Sequence, residues 1–277
     1  MGKNINTPQP KSGKDGTPLV LTIAGSDSSG GAGIQGDIKS IAANGAFGLS
    51  VLTAVTAQNS HRVSATHELP LWIIQGQFET LMADFKPDAV KTGMLTSKNI
   101  VQCVVRLLKQ NPLPNFVLDP VMRSKDGTEL LSVDAIEALK KELIPLSTLL
   151  TPNIPEAEVL LGKQIKTLSE AEKAAKRLLK LGGQAVLIKG GHLHESPGCD
   201  VLFDGQGITY FEGEFIDTPN THGTGCTYAS AIAAHLAVGK ALIPAISAAK
   251  TFLTEAIRHG LSIGKGHGPT NPFYLLK

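Results

Sequence analysis

Short apolar runs alternate along this chain with longer stretches whose apolar positions recur every three or four residues. LVLTIA from Leu19 precedes a helical period over 34–44, GLSVLTAVTA precedes one over 71–85, and DAVKTGM precedes one over 99–108. NFVLDPV leads into 133–143, STLLTPN into 157–161 and 170–181, and QAVLIKG closes the series. Runs that are apolar throughout predict strands buried on both faces, and the helix-length segments between them predict right-handed crossovers. The pattern is that of an α/β domain with a doubly wound, mostly parallel sheet flanked by helices. Beyond Gly191 it changes to shorter runs, DVLFD and GITYFEGEFID, followed by helical periods over 224–238 and 241–262. No repeat or domain boundary interrupts the series, so 18–277 reads as one domain. Residues 1–17 are polar, rich in Lys, Gly and Pro and without an apolar stretch, and read as a disordered tail rather than a secretory signal.

Composition narrows the class. No apolar run approaches the length needed to cross a bilayer, and 26 Lys and Arg against 24 Asp and Glu leave a net charge of +2 with no basic block. Membrane and nucleic-acid partners are not expected; small molecules are. Cys103, Cys199 and Cys226 lie far apart, which argues against a disulfide framework or a CxxC metal site and favours a reducing cytoplasm.

In such sheets ligands sit beyond the carboxyl ends of the strands, and the loops there are unusual. The first, Gly25-Ser-Asp-Ser-Ser-Gly-Gly-Ala-Gly33, joins a strand to a helix, where backbone N–H groups can approach a polar ligand closely. Asp27 and Asp37 flank its glycines without an evident packing purpose. Gly31-x-Gly33-x-x-Gly36 satisfies a dinucleotide pattern, but its first glycine lies well beyond the strand end. The following strand also ends without the acidic residue a ribose requires. No Gly-x-x-x-x-Gly-Lys-Ser/Thr occurs, so phosphate, if handled, is held by other parts.

The last loop, Asn220-Thr-His-Gly-Thr-Gly-Cys226, enters an apolar helix rich in small residues. Unpaired N–H groups of 223–226 would converge there as an anion hole, and the helix dipole would give Cys226 thiolate character, as a base toward a hydroxyl or an electrostatic partner to it. The plainer reading of Cys226 is a small buried residue under a capping threonine. Lys189 can place a charge on phosphate oxygens, and Asn153 and Glu156, three apart at a helix start, can face one ion. Asp119 adds a carboxylate at a strand end. Taken singly, Lys189 or Glu156 reads as a solvated charge or a helix cap.

Taken together, AGSDSSGGAGIQGD, TAVTAQN, KTGML, LDPVM, TPNIPEAE, LIKGGH and NTHGTGCT resemble segments of the ribokinase-like superfamily. Within it, they are similar to the hydroxymethylpyrimidine and phosphomethylpyrimidine kinases of thiamin biosynthesis. The resemblance runs from Leu19 to the C-terminus. It implies ATP- and Mg²⁺-dependent phosphorylation of 4-amino-5-hydroxymethyl-2-methylpyrimidine and of its monophosphate, a homodimer, and a lid over 192–200. It implies that Gly25, Ala32, Asp37, Gln58, Met94 and Val121 surround the pyrimidine. The side-chain amide of Gln58 offers the donor and acceptor an aminopyrimidine edge needs. It further implies that Asn153, Lys189 and Thr218 contact ATP, that Asp119 and Glu156 organise magnesium, and that Gly223, Thr224 and Gly225 form the anion hole. Cys226 stands where sugar kinases of the superfamily carry an aspartate base. Cys199, within the lid, is expected to be an exposed thiol. Competing expectations are a pyridoxal or pyridoxine kinase and a pyrimidine-binding homologue without turnover.

Overall fold

The computed structural model describes residues 13, 15–124, 126–191, 193 and 195–276. Most of the tail expected over 1–17 lies outside the described residues, as do His192 and His194 of the expected lid.

β1 (Leu19–Ser26), β2 (Phe47–Gln58), β4 (Ala89–Thr92), β5 (Phe116–Leu118), β6 (Leu149–Leu150) and β7 (Ala185–Ile188) form the parallel body of a nine-stranded sheet. β3 (Val63–Glu68) closes one edge against β2, and β8 (Asp200–Phe203) and β9 (Ile208–Phe211) extend the other, all antiparallel. The order β3-β2-β1-β4-β5-β6-β7-β8-β9 sends the chain to opposite sides of β1 for β2 and β4. That reversal opens a crevice at the carboxyl ends of β1 and β4.

Consecutive strand residues face opposite layers. Leu21, Ile23, Val90 and Leu118 pack against α2 (Leu71–Asp84), α3 (Lys98–Gln110), α5 (Ile154–Leu161) and α6 (Leu168–Leu179), through Phe78, Val104, Ala157 and Leu178. Val20, Ala89, Val117 and Leu187 pack on the other side against α7 (Thr224–Ala237) and α8 (Leu242–Arg258), whose Ala231, Ala234 and Ala245 let backbone approach the sheet. α1 (Gly33–Ala43) joins this second layer through Ile41.

Most elements fall where the apolar period places them, and the departures have local causes. β3 escaped prediction because most of its residues are exposed, leaving no burial period to read. The helix expected over 133–143 is α4 (Val133–Ala138) continued by a π-helical turn over Leu139–Leu143 and a 3₁₀ turn at Ile144–Leu146, where Pro145 supplies no N–H. The segment expected at 157–161 begins at Ile154, since Pro155 is well accommodated in a first turn. Among the described residues, no helix is long and apolar enough to cross a membrane.

One interior feature is not apolar. Lys91 of β4 and Asp37 of α1 are fully buried, with Lys91 Nζ donating to both carboxylate oxygens at 2.8 and 2.9 Å. Thr22 of β1 donates to Asp37 at 2.6 Å and Ser230 of α7 at 2.8 Å. Burial acts to lower the Lys91 pKa, but Asp37, with Cys226 and Asp119, holds the ammonium well above the usual lysine range. Removing one member of a buried pair strands the other's charge, typically at about 3–5 kcal/mol. Lys91→Met is therefore expected to lose about that much stability in urea unfolding, and Lys91→Met/Asp37→Asn to regain part of it. A loss below about 1 kcal/mol in the single variant would contradict this account.

Candidate active site

Loops from distant parts of the chain meet over the crevice. Asp119 ends β5, Lys189 follows β7, and α7 begins at Thr224. Lys189 Nζ donates to Asp119 Oδ1 at 2.7 Å and lies 4.0 Å from Glu156 Oε2. A Cβ placed on Gly225 would stand 3.5 Å from Lys189 Nζ and 3.6 Å from Asp119 Oδ2. The bare first turn of α7 thus opens onto the lysine–carboxylate pair, in the space any side chain at 225 would fill. The α7 N-cap, Gly223, has φ 80° and no capping side chain; the Thr224 N–H turns back to the Thr221 carbonyl at 3.3 Å, and the Gly225 and Cys226 amides are left for another acceptor. Thr224 is occupied otherwise, its hydroxyl donating to the Thr221 carbonyl at 2.6 Å.

Neither plain reading of Lys189 and Glu156 holds in full. Lys189 is largely enclosed rather than solvated: burial acts to lower its pKa, but Asp119 and Glu156 raise it above the ordinary value. Glu156 does cap α5: its carboxylate accepts the Asn153 N–H at 2.8 Å while Asn153 Oδ1 accepts the Glu156 N–H at 2.8 Å. It also faces the lysine, and burial pushes it up to about 7, with Lys189 opposing and Asp119 adding. A short parallel bridge ties Asn153 to Lys189, joining the start of α5 to the end of β7.

Cys226 sits between two helix starts, with the Gly33 amide of α1 directed toward its sulfur, yet it does not gain the thiolate character expected of it. Burial pushes the thiol up to about 12; Asp37 and Asp119 add to this, while Lys91 and the Gly33 amide oppose it without prevailing. Although its surface is only half-covered, enough protein surrounds the sulfur for desolvation to outweigh the dipole.

On the β1–β2 side, Gly25 leaves the space that the Met94 methyl occupies; a side chain there would collide with it. Met94 is in turn held by its carbonyl, which accepts the Thr53 hydroxyl at 2.9 Å. Gln58, half-buried at the end of β2, is fixed through its backbone: its N–H donates to Ser28 Oγ and its carbonyl accepts the Ser28 hydroxyl, both at 2.8 Å. Gln58 Oε1 accepts the Thr56 hydroxyl at 3.2 Å. Ala32 caps α1, its N–H donating to Asp27 at 2.8 Å, and Val121 follows Asp119 at the β5 end.

Asp37 and Thr218 stand apart from the Lys189–Asp119–Glu156 cluster. Asp37 is fully enclosed against Lys91, Thr22 and Ser230, so its carboxylate lies behind the crevice and offers no exposed face to a ring. Thr218 accepts the Asn220 N–H at 3.2 Å in the segment leading to the turn and is outside the Lys189–Asp119–Glu156 cluster. Cys199 is buried, not exposed, because the loop folds back over Gly190 and closes through the Cys199 N–H to the Ser196 carbonyl.

Sequence reasoning passed over Lys91 and His222. A lysine inside an otherwise apolar strand was the available signal for the first, since a buried ammonium demands a partner. His222 lies inside the motif already singled out, yet its partner, Asp27, is nearly two hundred residues away. Asp27 and Asp37 both have the packing purpose their positions had concealed.

Residues 27–271 match a family model described as phosphomethylpyrimidine kinase. A hydroxymethylpyrimidine/phosphomethylpyrimidine kinase of Haemophilus influenzae is 48% identical, over 91% of this chain and 95% of that protein. Among solved structures, a phosphomethylpyrimidine kinase from Clostridium difficile superposes with a TM-score of 0.79 at 43% identity, covering 87% of this chain and 100% of the other. An ADP complex of Bacillus subtilis pyridoxal kinase gives 0.86 at 39% identity, covering 94% and 98%.

A thiol held near 12 is almost wholly protonated at pH 8. Alkylation of Cys226 by iodoacetamide at that pH, followed by peptide mass spectrometry, is expected to run at least ~100-fold slower than for a free cysteine. Rapid, selective alkylation would show that the helix termini prevail after all.

Proposed function

The chain belongs to the phosphomethylpyrimidine kinase family, and we propose on that basis that it transfers the γ-phosphoryl group of ATP to 4-amino-5-hydroxymethyl-2-methylpyrimidine, and then to the resulting monophosphate, in thiamin biosynthesis. The observation that carries this reading is the convergence of Lys189, Asp119 and the open first turn of α7 around Gly225. Lys189, beyond its bond to Asp119, and the open amides of Gly225 and Cys226 face one space, an arrangement suited to holding an anion.

In the proposed arrangement the hydroxymethyl oxygen attacks the γ-phosphorus as the bond to ADP breaks, and the hydroxyl proton passes late to an oxygen of the transferred phosphoryl group and on to solvent. Lys189 and the Gly223–Gly225 amides meet the charge on the transferring group, and Asn153 and Thr218 contact the nucleotide. A loose transition state asks for positioning and neutralisation more than for a strong base. A protonated Cys226 suits this: it packs beside the hydroxyl and stabilises by contact, without first surrendering its own proton.

The donor set at Asp119 and Glu156 fits magnesium, which takes hard oxygens and commonly uses only one or two carboxylates plus phosphate and water. Asp119 Oδ2 faces the open space at Gly225, and Glu156 stands across Lys189 from it. When bound, the ion would neutralise phosphate oxygens. The carboxylates' own task is to hold Lys189 at the centre of the site.

Gly25, Ala32, Gln58, Met94 and Val121 are proposed to line the ring pocket, with Asp37 supporting it from behind. Gln58 has an unengaged Nε2 and a further Oε1 lone pair for the aminopyrimidine edge. A homodimer and a cytoplasmic location complete the proposal, both carried by family likeness alone. Likeness to a pyridoxal kinase at 39% identity favours activity on the B6 alcohol as the second reading, the same pocket receiving a differently bonded ring.

A coupled ADP-release assay on both alcohols tests the proposal. Gln58→Leu is expected to lower kcat/KM for the pyrimidine about 10–100-fold, against less than about 3-fold for pyridoxal. Equal losses would remove Gln58 as the ring-reading residue, and absence of ATP consumption with either alcohol would favour a binding protein without turnover.

A further inference from the structure

The ring pocket and the anion turn belong to different ends of the sequence, and the His222 ring joins the loops that carry them, through Asp27 and, at 3.4 Å, the Ser29 hydroxyl. His222 Nε2 lies 2.7 Å from Asp27 Oδ2, and both residues are buried. Asp27 stands in the β1–α1 loop, where its carboxylate also accepts the Ser29 N–H at 2.8 Å, the Ser29 hydroxyl at 2.7 Å and the Ala32 N–H at 2.8 Å. Burial alone would raise its pKa, but the bonds from His222 and Ser29 hold it at about 2, so it is ionised at all working pH values. His222 immediately precedes the anion turn. Its N–H donates to the Gly268 carbonyl at 3.0 Å and its carbonyl accepts the Thr270 N–H at 3.1 Å. The backbone of His222 is thus fixed, leaving its ring free to fix something else.

The surfaces around the bond are cut to fit it. A Cβ on Gly31 would collide with the His222 ring, and one on Gly223 would collide with the Gly31 carbonyl. Gly223 also has φ 80°, a conformation that suits glycine. The two loops therefore touch backbone to backbone, with the carboxylate–imidazole pair beside the contact. In-line transfer needs the reacting atoms within about 3–3.5 Å, and an error near 1 Å can cost about a hundredfold.

We propose that Asp27 and His222 are positioning residues that set the distance between the ring pocket and the anion turn, holding the acceptor oxygen in register with the transferring phosphoryl group. The pair touches neither ligand; it acts through Ala32 and Gly31 on one side and Gly223 on the other. This rests on the kinase reading above.

Steady-state kinetics on the full chain test it, with thermal unfolding run alongside. His222→Ala is expected to lower kcat about 30–100-fold while KM for ATP changes by less than about 3-fold. His222→Gln, which can return an N–H near the position of Nε2, is expected to recover activity to within about 5-fold of the parent. Asp27→Asn should match His222→Ala, and the double variant should be no worse than the poorer single one, as for residues that act as a unit. Multiplying losses, a glutamine variant no better than alanine, or KM for ATP rising in step with a fall in melting temperature would overturn the proposal. Calorimetric titration with the pyrimidine alcohol and a non-hydrolysable ATP analogue keeps the two readings apart. If the parent binds both without turnover, the kinase reading fails. The pair is then judged by coupling: each ligand strengthening the other in the parent, and not in His222→Ala, supports it; unchanged coupling overturns it.

Discussion

An ammonium enclosed in a protein interior must have its charge met at close range, and in this fold that requirement is satisfied at the switch point of the sheet. Lys91 lies on the strand just across the reversal from β1, and Asp37 reaches it from the helix that the Gly-rich loop begins. With Thr22 and Ser230 completing the shell, two strands and helix α7 are bonded to one carboxylate of α1. Apolar packing alone would let α1 and α7 slide on the sheet, because small alanines make a smooth surface. A buried charge pair has one geometry, and it fixes where both helices begin. Since the Gly-Thr-Gly turn opens α7 and the Gly-rich loop opens α1, the crevice inherits its shape from that pair.

The same constraint explains how the thiol behaves. A helix start favours negative charge nearby, but the sulfur of Cys226 shares its surroundings with Asp37 and Asp119 and is closely packed. Local motif chemistry argued for a thiolate; burial first, and then the carboxylates that tertiary structure brings in, argue against it. Contact from a neutral thiol also suits a reaction in which the acceptor needs placement more than deprotonation.

What could be read from the sequence was what repeats or clusters. The apolar runs located the parallel strands because burial on both faces leaves an unbroken signal, and β3 was lost because its exposed residues leave none. The loops at the strand ends were legible through glycine, as at Gly25 and Gly223, where a side chain has no room. Pairings were not legible. Nothing near Asp27 points to His222, and nothing near Asp37 points to Lys91, because each bond is made between segments that only the fold brings together. Cys199 was misjudged for a similar reason: a polar loop sequence suggests exposure, but the backbone closes over its thiol.

Glu156 has two employments, and they cannot be separated. Its carboxylate completes the start of α5 through Asn153 and at the same time stands beside Lys189. A substitution that removes this carboxylate therefore frays the start of α5 and at the same time takes a partner from Lys189. Anything that disturbs the Lys189 cluster through Glu156 would thus register first as a less stable protein, because the same carboxylate holds a helix end.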